Sequence, residues 1–212
     1  MKLYTLARSS AAYRVRIALN LKGIAYEPIT TPLLENAHRR PDYLALNPQG
    51  LIPTLDIDGT VLSQSLAIIE YLDEIYPTPA LLPADPLGRA RVRSMALAVA
   101  CDIHPLNNLR VLGYLRRELG QDENAVSTWY RHWIAEGFRA LELQASEHSS
   151  TRQCMYGAQV SLADICLVPQ MFNARRFKLD LTPYPTLVEI SAHLESLPAF
   201  AAARPEAQPD AV

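Results

Sequence analysis

The sequence predicts an α/β domain followed by an all-helical domain. Short apolar runs surround one helical pattern over the first part of the chain, a proline-rich stretch follows, and helical periodicity fills the remainder. The boundaries that follow from these observations are residues 1–76 for the α/β domain, 77–87 for a linker and 88–212 for the helical domain.

The composition is that of an ordinary globular chain. The 212 residues are 49% hydrophobic and 20% charged, with a formal net charge of -2, which gives no electrostatic reason to expect nucleic acid or an acidic membrane as a partner. The three cysteines, Cys101, Cys154 and Cys166, lack metal-ligand spacing, so no metal site is expected. No apolar run reaches the length of a membrane span and the N-terminus begins a strand, so we expect a cytoplasmic protein.

The α/β domain opens with a strand at residues 2–6, a helix at residues 11–22 and a second strand at residues 25–29. The helix has an apolar face and ends at Gly23, a typical C-terminal cap. Because a helix connects the two strands, they are predicted to pair in parallel.

A hairpin and a second helix complete this domain. Residues 51–57 and 60–62 flank the pair Asp58-Gly59, which is typical of a tight hairpin turn. Ser65 precedes apolar residues at helical spacing and is the predicted N-cap. The element order is that of a thioredoxin-like domain. Pro53 interrupts the first hairpin strand, and the sequence alone favours an ordinary trans proline at a sheet edge.

The second domain is predicted to be helical throughout. Apolar periodicity indicates helices at residues 89–117, at 123–147, from 161 onward and at 187–194. Pro105 is expected to kink the first of them. Ser161 and Asp164 form a predicted capping box, so this carboxylate is expected to be structural. The residues after Pro198 are rich in Ala, Pro and Gln and are expected to be loosely ordered.

Two stretches of the first domain resemble the glutathione-binding half of the glutathione transferase family. They are Asn47-Pro48 with Ile52-Pro53-Thr54-Leu55, and Gln64-Ser65-Leu66-Ala67-Ile68-Ile69. The resemblance implies that Pro53 is cis and that the backbone of Ile52 faces the cysteinyl part of glutathione. It also implies that Gln64 and Ser65 hold the γ-glutamyl group, which agrees with the affinity of a helix N-terminus for anions. A plain capping role for Ser65 is compatible with this.

The stretch RSSAAYRVRIALNLKGIAYE at residues 8–27 is similar to the zeta class of this family, whose motif reads SSCSWRVRIALALKG. By this match Ser9 and Ser10 are the loop serines, one of which donates a hydrogen bond to the glutathione sulfur and favours its thiolate. Ala11 stands where many members have cysteine, so a thiol at that position is missing. Without the resemblance, Ser9 and Ser10 would be interpreted as caps of the first helix.

The zeta class includes the maleylacetoacetate isomerases, and their substrate carries two carboxylates. Arginine side chains suit carboxylates, which they bind in a bidentate manner. The candidates are Arg8 beside the serines, Arg110 in the first long helix, and Arg176, with Arg175 as its alternative. Arg176 lies in a stretch, NARRFKLDLTPYP, that matches the family's NAERFKVDLTPYP. Any one of these arginines taken alone is more often a solvated surface charge.

The stretch CDIHPLNNLR at residues 101–110 resembles the family's IQPLQN segment, which lines the cleft and contacts glutathione. His104 replaces a glutamine of some relatives, and a lone helical histidine is more often neither ligand nor acid. His38 aligns with the loop that meets the glycyl carboxylate. The resemblance therefore implies catalytic roles for Ser9, Ser10 and Arg8, substrate contacts for Arg8, Arg110 and Arg176, and cofactor contacts for Ser9, Ser10, Ala11, His38, Ile52, Pro53, Gln64, Ser65, His104, Asn108 and Arg110.

The resemblance covers nearly the whole chain and implies a glutathione transferase fold, a thioredoxin-like N-terminal domain plus an all-α C-terminal domain. It implies glutathione as cofactor, a small dicarboxylate as substrate and a homodimer. The expected reaction is glutathione-dependent isomerisation of 4-maleylacetoacetate to 4-fumarylacetoacetate in tyrosine breakdown. The alternatives are isomerisation of maleylpyruvate in gentisate breakdown, glutathione transfer or dehalogenation acting on small α-halo acids, and a binding protein without catalysis.

Overall fold

The computed structural model describes residues 1–211. The chain divides into two compact units, and we describe each by itself. Unit 1 contains Met1–Ala80 and the segment from Ser196 onward, and unit 2 contains Leu81–Glu195. The segment from Ser196 onward therefore groups with the first unit, whereas the sequence analysis had placed it in the helical domain.

The strands are β1 (Lys2–Thr5), β2 (Glu27–Thr30), β3 (Thr54–Ile57) and β4 (Thr60–Ser63). The α-helices are α1 (Ser10–Leu21), α2 (Pro41–Leu46), α3 (Ser65–Ile75), α4 (Pro86–Leu97), α5 (Leu109–Arg117), α6 (Glu123–His148), α7 (Leu162–Arg176), α8 (Pro185–Ser196) and α9 (Pro198–Ala203). The short helix α2 was not predicted, because its six residues carry no apolar periodicity that could reveal it.

A four-stranded sheet in the order β2-β1-β3-β4 forms the centre of unit 1. β1 pairs in parallel with β2, as predicted, and antiparallel with β3, which pairs antiparallel with β4. Asp58 (φ 51°) and Gly59 (φ 91°) make the two-residue hairpin turn, since positive φ at both central residues matches the twist of the strands. The predicted thioredoxin-like order is confirmed.

The ends of α1 and α3 are set by local backbone geometry. At the end of α1, Gly23 adopts φ 65°, and the N–H of Ile24 donates to Leu19 O at 2.9 Å, which is a Schellman cap. The predicted N-cap of α3 is wrong by one residue. Gln64 holds that position with φ 69° and ψ 116°, so Ser65 is already the first helical residue.

The prediction of a loosely ordered C-terminal tail is wrong. Helix α9 packs on α1, and Phe200 and Ala203 are fully buried. Arg16 Nε donates to Ala203 O at 3.1 Å, and Asn20 Nδ2 donates to Ala199 O at 2.9 Å. Composition concealed this arrangement because the segment holds a single aromatic side chain, Phe200, while its hydrogen-bond donors lie in a distant part of the sequence.

Unit 2 is helical, as predicted, but its first long helix is broken rather than kinked. After α4 the chain forms a π-helical turn at Ala98–Ile103 and a 3₁₀ turn at Pro105–Asn107. Asn108 is extended, with ψ 148°, and α5 begins after it. Pro105 lacks the N–H that would continue the helical bonding. Helix α6 (Glu123–His148) matches its prediction to within one residue.

Asp164 is a fully buried structural carboxylate at the start of α7. It accepts hydrogen bonds from Met155 N at 2.7 Å, from Ser161 N at 2.8 Å and from Ser161 Oγ at 2.7 Å. The predicted capping box is therefore confirmed. Burial raises the pKa of Asp164 to about 6, although these hydrogen bonds favour the ionised form.

Replacing Asp164 with alanine is expected to lower the free energy of unfolding by about 3 kcal/mol, because three buried donors lose the acceptor that they share. Chemical denaturation measures this loss. The matched control is Asp122→Ala at the N-cap of α6, where the carboxylate accepts from Ala125 N at 2.8 Å on the exposed surface. The control should show a much smaller loss. Similar losses in the two variants would contradict the buried network as the source of stability.

Two features are absent from residues 1–211: a membrane-spanning helix and a cluster of metal-binding side chains. None of the helices in this range is both long enough and apolar enough to cross a membrane. No group of three or more His, Cys, Asp or Glu residues in the same range is arranged to hold a metal ion. The cysteines are free thiols, with Cys101 exposed and both Cys154 and Cys166 buried.

Candidate active site

The predicted serine loop is a tight turn between β1 and α1. Ser9 N–H donates to Leu6 O at 3.0 Å, which makes Ala7 and Arg8 the central residues of the turn. Ala7 is buried at 2% exposure, whereas Arg8 is exposed. The turn therefore leaves the Arg8 side chain at the surface and brings Ser9 to the start of α1.

Ser9 is the N-cap of α1. Its Oγ accepts a hydrogen bond from Ala12 N at 3.2 Å, and the residue is half-buried. Because this bond uses a lone pair of the oxygen, the hydroxyl proton remains available for donation. Capping and donation to a sulfur are thus compatible at Ser9. Ser10 and Ala11 lie in the first turn of α1, and both are buried.

The Ile52–Pro53 peptide bond is cis, as the family resemblance implied. Within residues 1–211, Ile52 takes part in no backbone hydrogen bond, so its N–H and C=O can pair with an extended peptide ligand. Gly50 precedes this segment with φ 57°, and a Cβ there would lie 2.9 Å from His38 O. Glycine is therefore required where the two loops approach each other.

A buried polar cluster holds the segment at residues 51–54, and the sequence analysis did not identify it. Tyr43 Oη donates to Leu51 O at 2.7 Å and lies 2.8 Å from Thr54 Oγ1. Asn47 Nδ2 donates to the same two oxygens at 2.8 Å and 3.0 Å. Burial raises the pKa of Tyr43, so its phenol stays protonated and donates. The sequence offered Asn47-Pro48 as a signal, but the helix that carries Tyr43 was missed.

The N-terminus of α3 presents backbone donors. No side chain caps this helix, and its first intrahelical bond runs from Ile68 N to Gln64 O. The N–H groups of residues 65–67 therefore have no intrahelical acceptor and, together with the helix dipole, attract an anion. The side chain of Gln64 donates from Nε2 to Gln49 Oε1 at 2.8 Å. Its positive φ is unusual for a residue with a side chain, and such outliers concentrate at functional sites.

A buried arginine joins α1 to the start of α3. Arg14 is 1% exposed, and its Nη1 donates to Ser65 Oγ at 3.3 Å. This bond fixes the Ser65 hydroxyl and places positive charge beside the exposed N–H groups of α3. The sequence analysis did not assign Arg14 a role. The available signal was the pair Arg14 and Arg16 within an otherwise apolar stretch of α1.

His38 lies in the 3₁₀ turn at Ala37–Arg39. Its Nδ1 is buried and has no hydrogen-bond partner among the described residues. Burial, and then the nearby Arg39 guanidinium, lowers the pKa of His38. The imidazole is therefore neutral at pH 7 and retains one buried nitrogen that can bond a ligand.

The candidates in residues 101–110 belong to unit 2. Asn108 is the N-cap of α5, and its Oδ1 accepts from Arg110 N at 3.1 Å. The structure thus brings Asn108 and the exposed Arg110 together through helix capping. The amide donors of Asn108 take no part in this cap. His104 closes the preceding π-helical turn, with its N–H donating to Val99 O at 2.9 Å.

Arg176 lies in unit 2 at the end of α7 and lines a cavity of about 480 Å³. The other lining residues are Arg116, Glu123, Ser127, Arg131, Phe177 and Lys178. Arg116 donates to both carboxylate oxygens of Glu123, at 2.5 Å and 2.8 Å, so these two charges compensate each other. The remaining cations, Arg131, Arg176 and Lys178, give the cavity a net positive charge. The sequence analysis identified only Arg176 among them.

Arg175 and Arg176 have different surroundings. Arg175 forms an ion pair with Glu195 and donates to Ser191 Oγ at 3.4 Å. The guanidinium of Arg176 instead lies 5.6 Å from the centre of the Phe177 ring, which stacks on Tyr130. Of the two alternatives, Arg176 is therefore the one placed beside a cavity. Arg110 does not line this cavity, so the described residues do not bring the two predicted carboxylate binders of unit 2 together there.

Comparison with known proteins identifies close relatives. Residues 3–80 match the family described as glutathione S-transferase, N-terminal domain. The chain is 52% identical over 212 residues to a probable maleylacetoacetate isomerase of Vibrio cholerae, covering 99% of this chain and 97% of the relative. It also resembles the holo structure of a maleylpyruvate isomerase described as a bacterial glutathione S-transferase in the zeta class, with a TM-score of 0.98, 50% identity and full coverage of both chains.

A third relative was solved with ligands. It is the maleylacetoacetate isomerase of Methylobacterium extorquens AM1 with bound malonate and glutathione, and it has a TM-score of 0.96 and 43% identity over 100% of both chains. Identities of this size along the full length establish common descent rather than a shared fold alone. The chain therefore belongs to the glutathione transferase family, in the zeta class that contains the maleylacetoacetate and maleylpyruvate isomerases.

Proposed function

We propose that this protein is a glutathione-dependent isomerase that converts 4-maleylacetoacetate to 4-fumarylacetoacetate. The observation that carries the proposal is its 52% identity to a probable maleylacetoacetate isomerase along nearly the whole chain. The residues of unit 1 fit glutathione in three respects: a hydroxyl donor at a helix N-terminus, a free backbone edge at Ile52, and an uncapped helix N-terminus at α3.

The proposed role of Ser9 is to stabilise the thiolate of glutathione. A thiol with a pKa of about 8.5 is mostly protonated at neutral pH, and each unit by which its pKa falls requires about 1.4 kcal/mol of preferential stabilisation. One hydrogen bond from the Ser9 hydroxyl, with the dipole of α1 behind it, supplies roughly that amount. Ser10 is buried within α1, so we assign the donation to Ser9. Since Ala11 supplies no thiol, this mechanism relies on the hydroxyl and the helix dipole.

The remaining groups of unit 1 would hold the tripeptide. The N–H and C=O of Ile52 pair with its cysteinyl backbone, and Pro53 fixes their direction. The N–H groups of residues 65–67 and the Gln64 side chain take the γ-glutamyl group, with Arg14 as a buried charge behind them. His38 offers one bond to the glycyl carboxylate. In unit 2, His104, Asn108 and Arg110 remain candidates for further contacts with the cofactor.

The chemistry that bound glutathione supplies is reversible addition of its thiolate to the cis double bond, which permits rotation before the thiolate leaves. The arginines of this chain would orient the diacid and stabilise the negative charge that develops on its carbonyl oxygen. Arg8 follows the buried Ala7 in the turn that presents Ser9. Arg110 and Arg176 are the proposed carboxylate binders of unit 2, and the positive cavity beside Arg176 supports that role.

Maleylpyruvate is the second candidate substrate. The observation that favours it is the TM-score of 0.98 to a maleylpyruvate isomerase, at 50% identity. The two substrates share the cis double bond conjugated to a carbonyl and differ in the distance between their carboxylates. The same residues could therefore act on both, and the placement of the arginines decides the preference.

We further infer a homodimer that works in the cytoplasm, in tyrosine breakdown. Large apolar side chains exposed on the helices of unit 2 support the dimer, among them Leu97, Leu109, Tyr114 and Leu143. Sedimentation equilibrium of the purified protein tests it, and a mass of one chain at micromolar concentration would exclude a stable dimer.

The proposed function is tested by following turnover of both substrates by absorbance, with and without glutathione. A strong preference for maleylacetoacetate that depends strictly on glutathione is the expected result. A preference for maleylpyruvate would instead identify maleylpyruvate isomerisation as the function. Activity on neither substrate would contradict the isomerase proposal and favour conjugation, dehalogenation of α-halo acids or simple binding.

A further inference from the structure

Two charged side chains of opposite sign hold the turn that carries Arg8 and Ser9. Asp210 Oδ2 accepts a hydrogen bond from Ala7 N at 2.8 Å. From the other side, Arg16 donates to Leu6 O at 3.1 Å through Nη1 and to Ala7 O at 2.9 Å through Nη2. All of these residues belong to unit 1. The N–H and the C=O of Ala7 are thus both bonded to ionisable groups.

Arg16 also links this turn to the C-terminal segment. It is fully buried and donates from Nε to Ala203 O at 3.1 Å and from Nη1 to Thr5 Oγ1 at 3.0 Å. Burial lowers the pKa of Arg16 to about 10, and the Asp210 carboxylate acts in the opposite direction. The guanidinium therefore remains charged at neutral pH. Asp210 and α9, which both belong to the C-terminal segment, complete the environment of the Arg16 guanidinium.

We propose that Asp210 is a positioning residue for thiol activation. Ala7 lies two residues before Ser9 in the same hydrogen-bonded turn, so a bond that fixes the peptide nitrogen of Ala7 also limits where the Ser9 hydroxyl lies. A hydrogen bond to a thiolate requires a donor held to within about 0.5 Å, and small displacements of a reacting group have large effects on rate. This inference rests on the proposed function of Ser9 as the donor to the glutathione sulfur.

The hydrogen bond from Ala7 N to Asp210 lies within the turn that carries Ser9, which distinguishes a positioning role for Asp210 from simple anchoring of the C-terminal segment. Anchoring is already provided by the burial of Phe200 and by the bonds of α9 to Arg16 and Asn20. The Asp210 carboxylate adds a charge-assisted bond to the Ala7 N–H, a donor that the guanidinium of Arg16 cannot satisfy because it is itself a donor. Such bonds are stronger and more directional than neutral ones.

The test compares Asp210→Ala, Asp210→Asn and Glu206→Ala in the full chain. Glu206 is an exposed acid of the same segment, so its removal is a matched control for loss of one negative charge. The main measurement is the pKa of the thiol of bound glutathione, obtained from the ultraviolet absorbance of the thiolate as a function of pH. The kcat for the diacid and the KM for glutathione are measured alongside it.

Asp210→Ala is expected to raise the pKa of the bound thiol by about one unit and to lower kcat at neutral pH about tenfold, with KM for glutathione changed less. Asp210→Asn should lie between Asp210→Ala and the wild type, because its amide oxygen still accepts the Ala7 bond. Glu206→Ala should match the wild type.

An Asp210→Ala variant that ionises glutathione like the wild type, and loses only thermal stability, would overturn the proposal. A Glu206→Ala variant with the same rise in the pKa of the bound thiol would also overturn it, since a general disturbance of the C-terminal segment would then explain the effect. If the wild type ionises glutathione but isomerises neither diacid, the proposed function fails, while the pKa of the bound thiol still decides the role of Asp210.

Discussion

Replacing Ser9 with alanine is expected to lower kcat at pH 7 roughly 10- to 100-fold while changing glutathione affinity far less. The Ser9 hydroxyl is proposed to donate to the sulfur only when the sulfur is ionised, so its loss costs the thiolate about 1.5–3 kcal/mol. This corresponds to a rise of about one to two units in the pKa of the bound thiol. Steady-state kinetics and direct titration of bound glutathione measure the two effects separately.

The loss of activity in Ser9→Ala is expected to become smaller at higher pH. A thiol whose pKa has risen is less ionised at neutral pH and fully ionised only at higher pH, so the ratio of wild-type to variant activity should shrink as the pH rises. Ser9→Gly separates catalysis from capping, since glycine is nearly as good an N-cap as serine but has no hydroxyl. Ser9→Thr should restore most activity. Equal losses of turnover and affinity would show that Ser9 only binds, and a larger loss in Ser10→Ala would move the donor to that residue.

Replacing Arg176 with alanine is expected to raise KM for the diacid roughly 30-fold, through loss of a charged donor to a carboxylate. Conjugation of a neutral electrophile to glutathione should be unchanged, because no carboxylate is bound in that reaction. The comparison of the two substrates in one variant separates a binding role from a general loss of structure.

Arg175→Ala is the matched control for this experiment. It removes the same side chain one position earlier, where the guanidinium pairs with Glu195 and lies near Ser191 instead of lining the positive cavity. It should leave both reactions near the wild-type rate. A parallel drop in conjugation by Arg176→Ala, or an equal effect of Arg175→Ala on the diacid, would exclude a specific carboxylate contact.

Features with a local cause could be predicted from the sequence. The Asp58-Gly59 turn, the cap at Gly23 and the capping box at Asp164 each depend on residues within a few positions of each other, and the structure confirms all three. The family resemblance supplied the cis bond at Pro53, which local statistics alone disfavour. It also supplied the set of candidate ligands for glutathione.

Features that depend on contacts between distant residues could not be predicted. The order of the C-terminal segment depends on Arg16 and Asn20, which precede it by more than 170 positions. The break before α5 depends on how Asn108 caps a new helix rather than on apolar periodicity, which continues through it. The cluster of Tyr43, Asn47 and Thr54 has an ordinary polar composition, and only its burial shows that it supports the residues beside the cis bond.

The packing of α9 on α1 has a consequence for synthesis on the ribosome. The sheet and α1 of unit 1 are translated before unit 2, yet the helix that covers α1 is made only after the whole of unit 2. At about 5–20 residues per second, the face of α1 around Arg16 and Asn20 stays uncovered for roughly 10–40 seconds in each round of translation. The thioredoxin-like unit of this chain therefore cannot complete its packing until unit 2 has been translated.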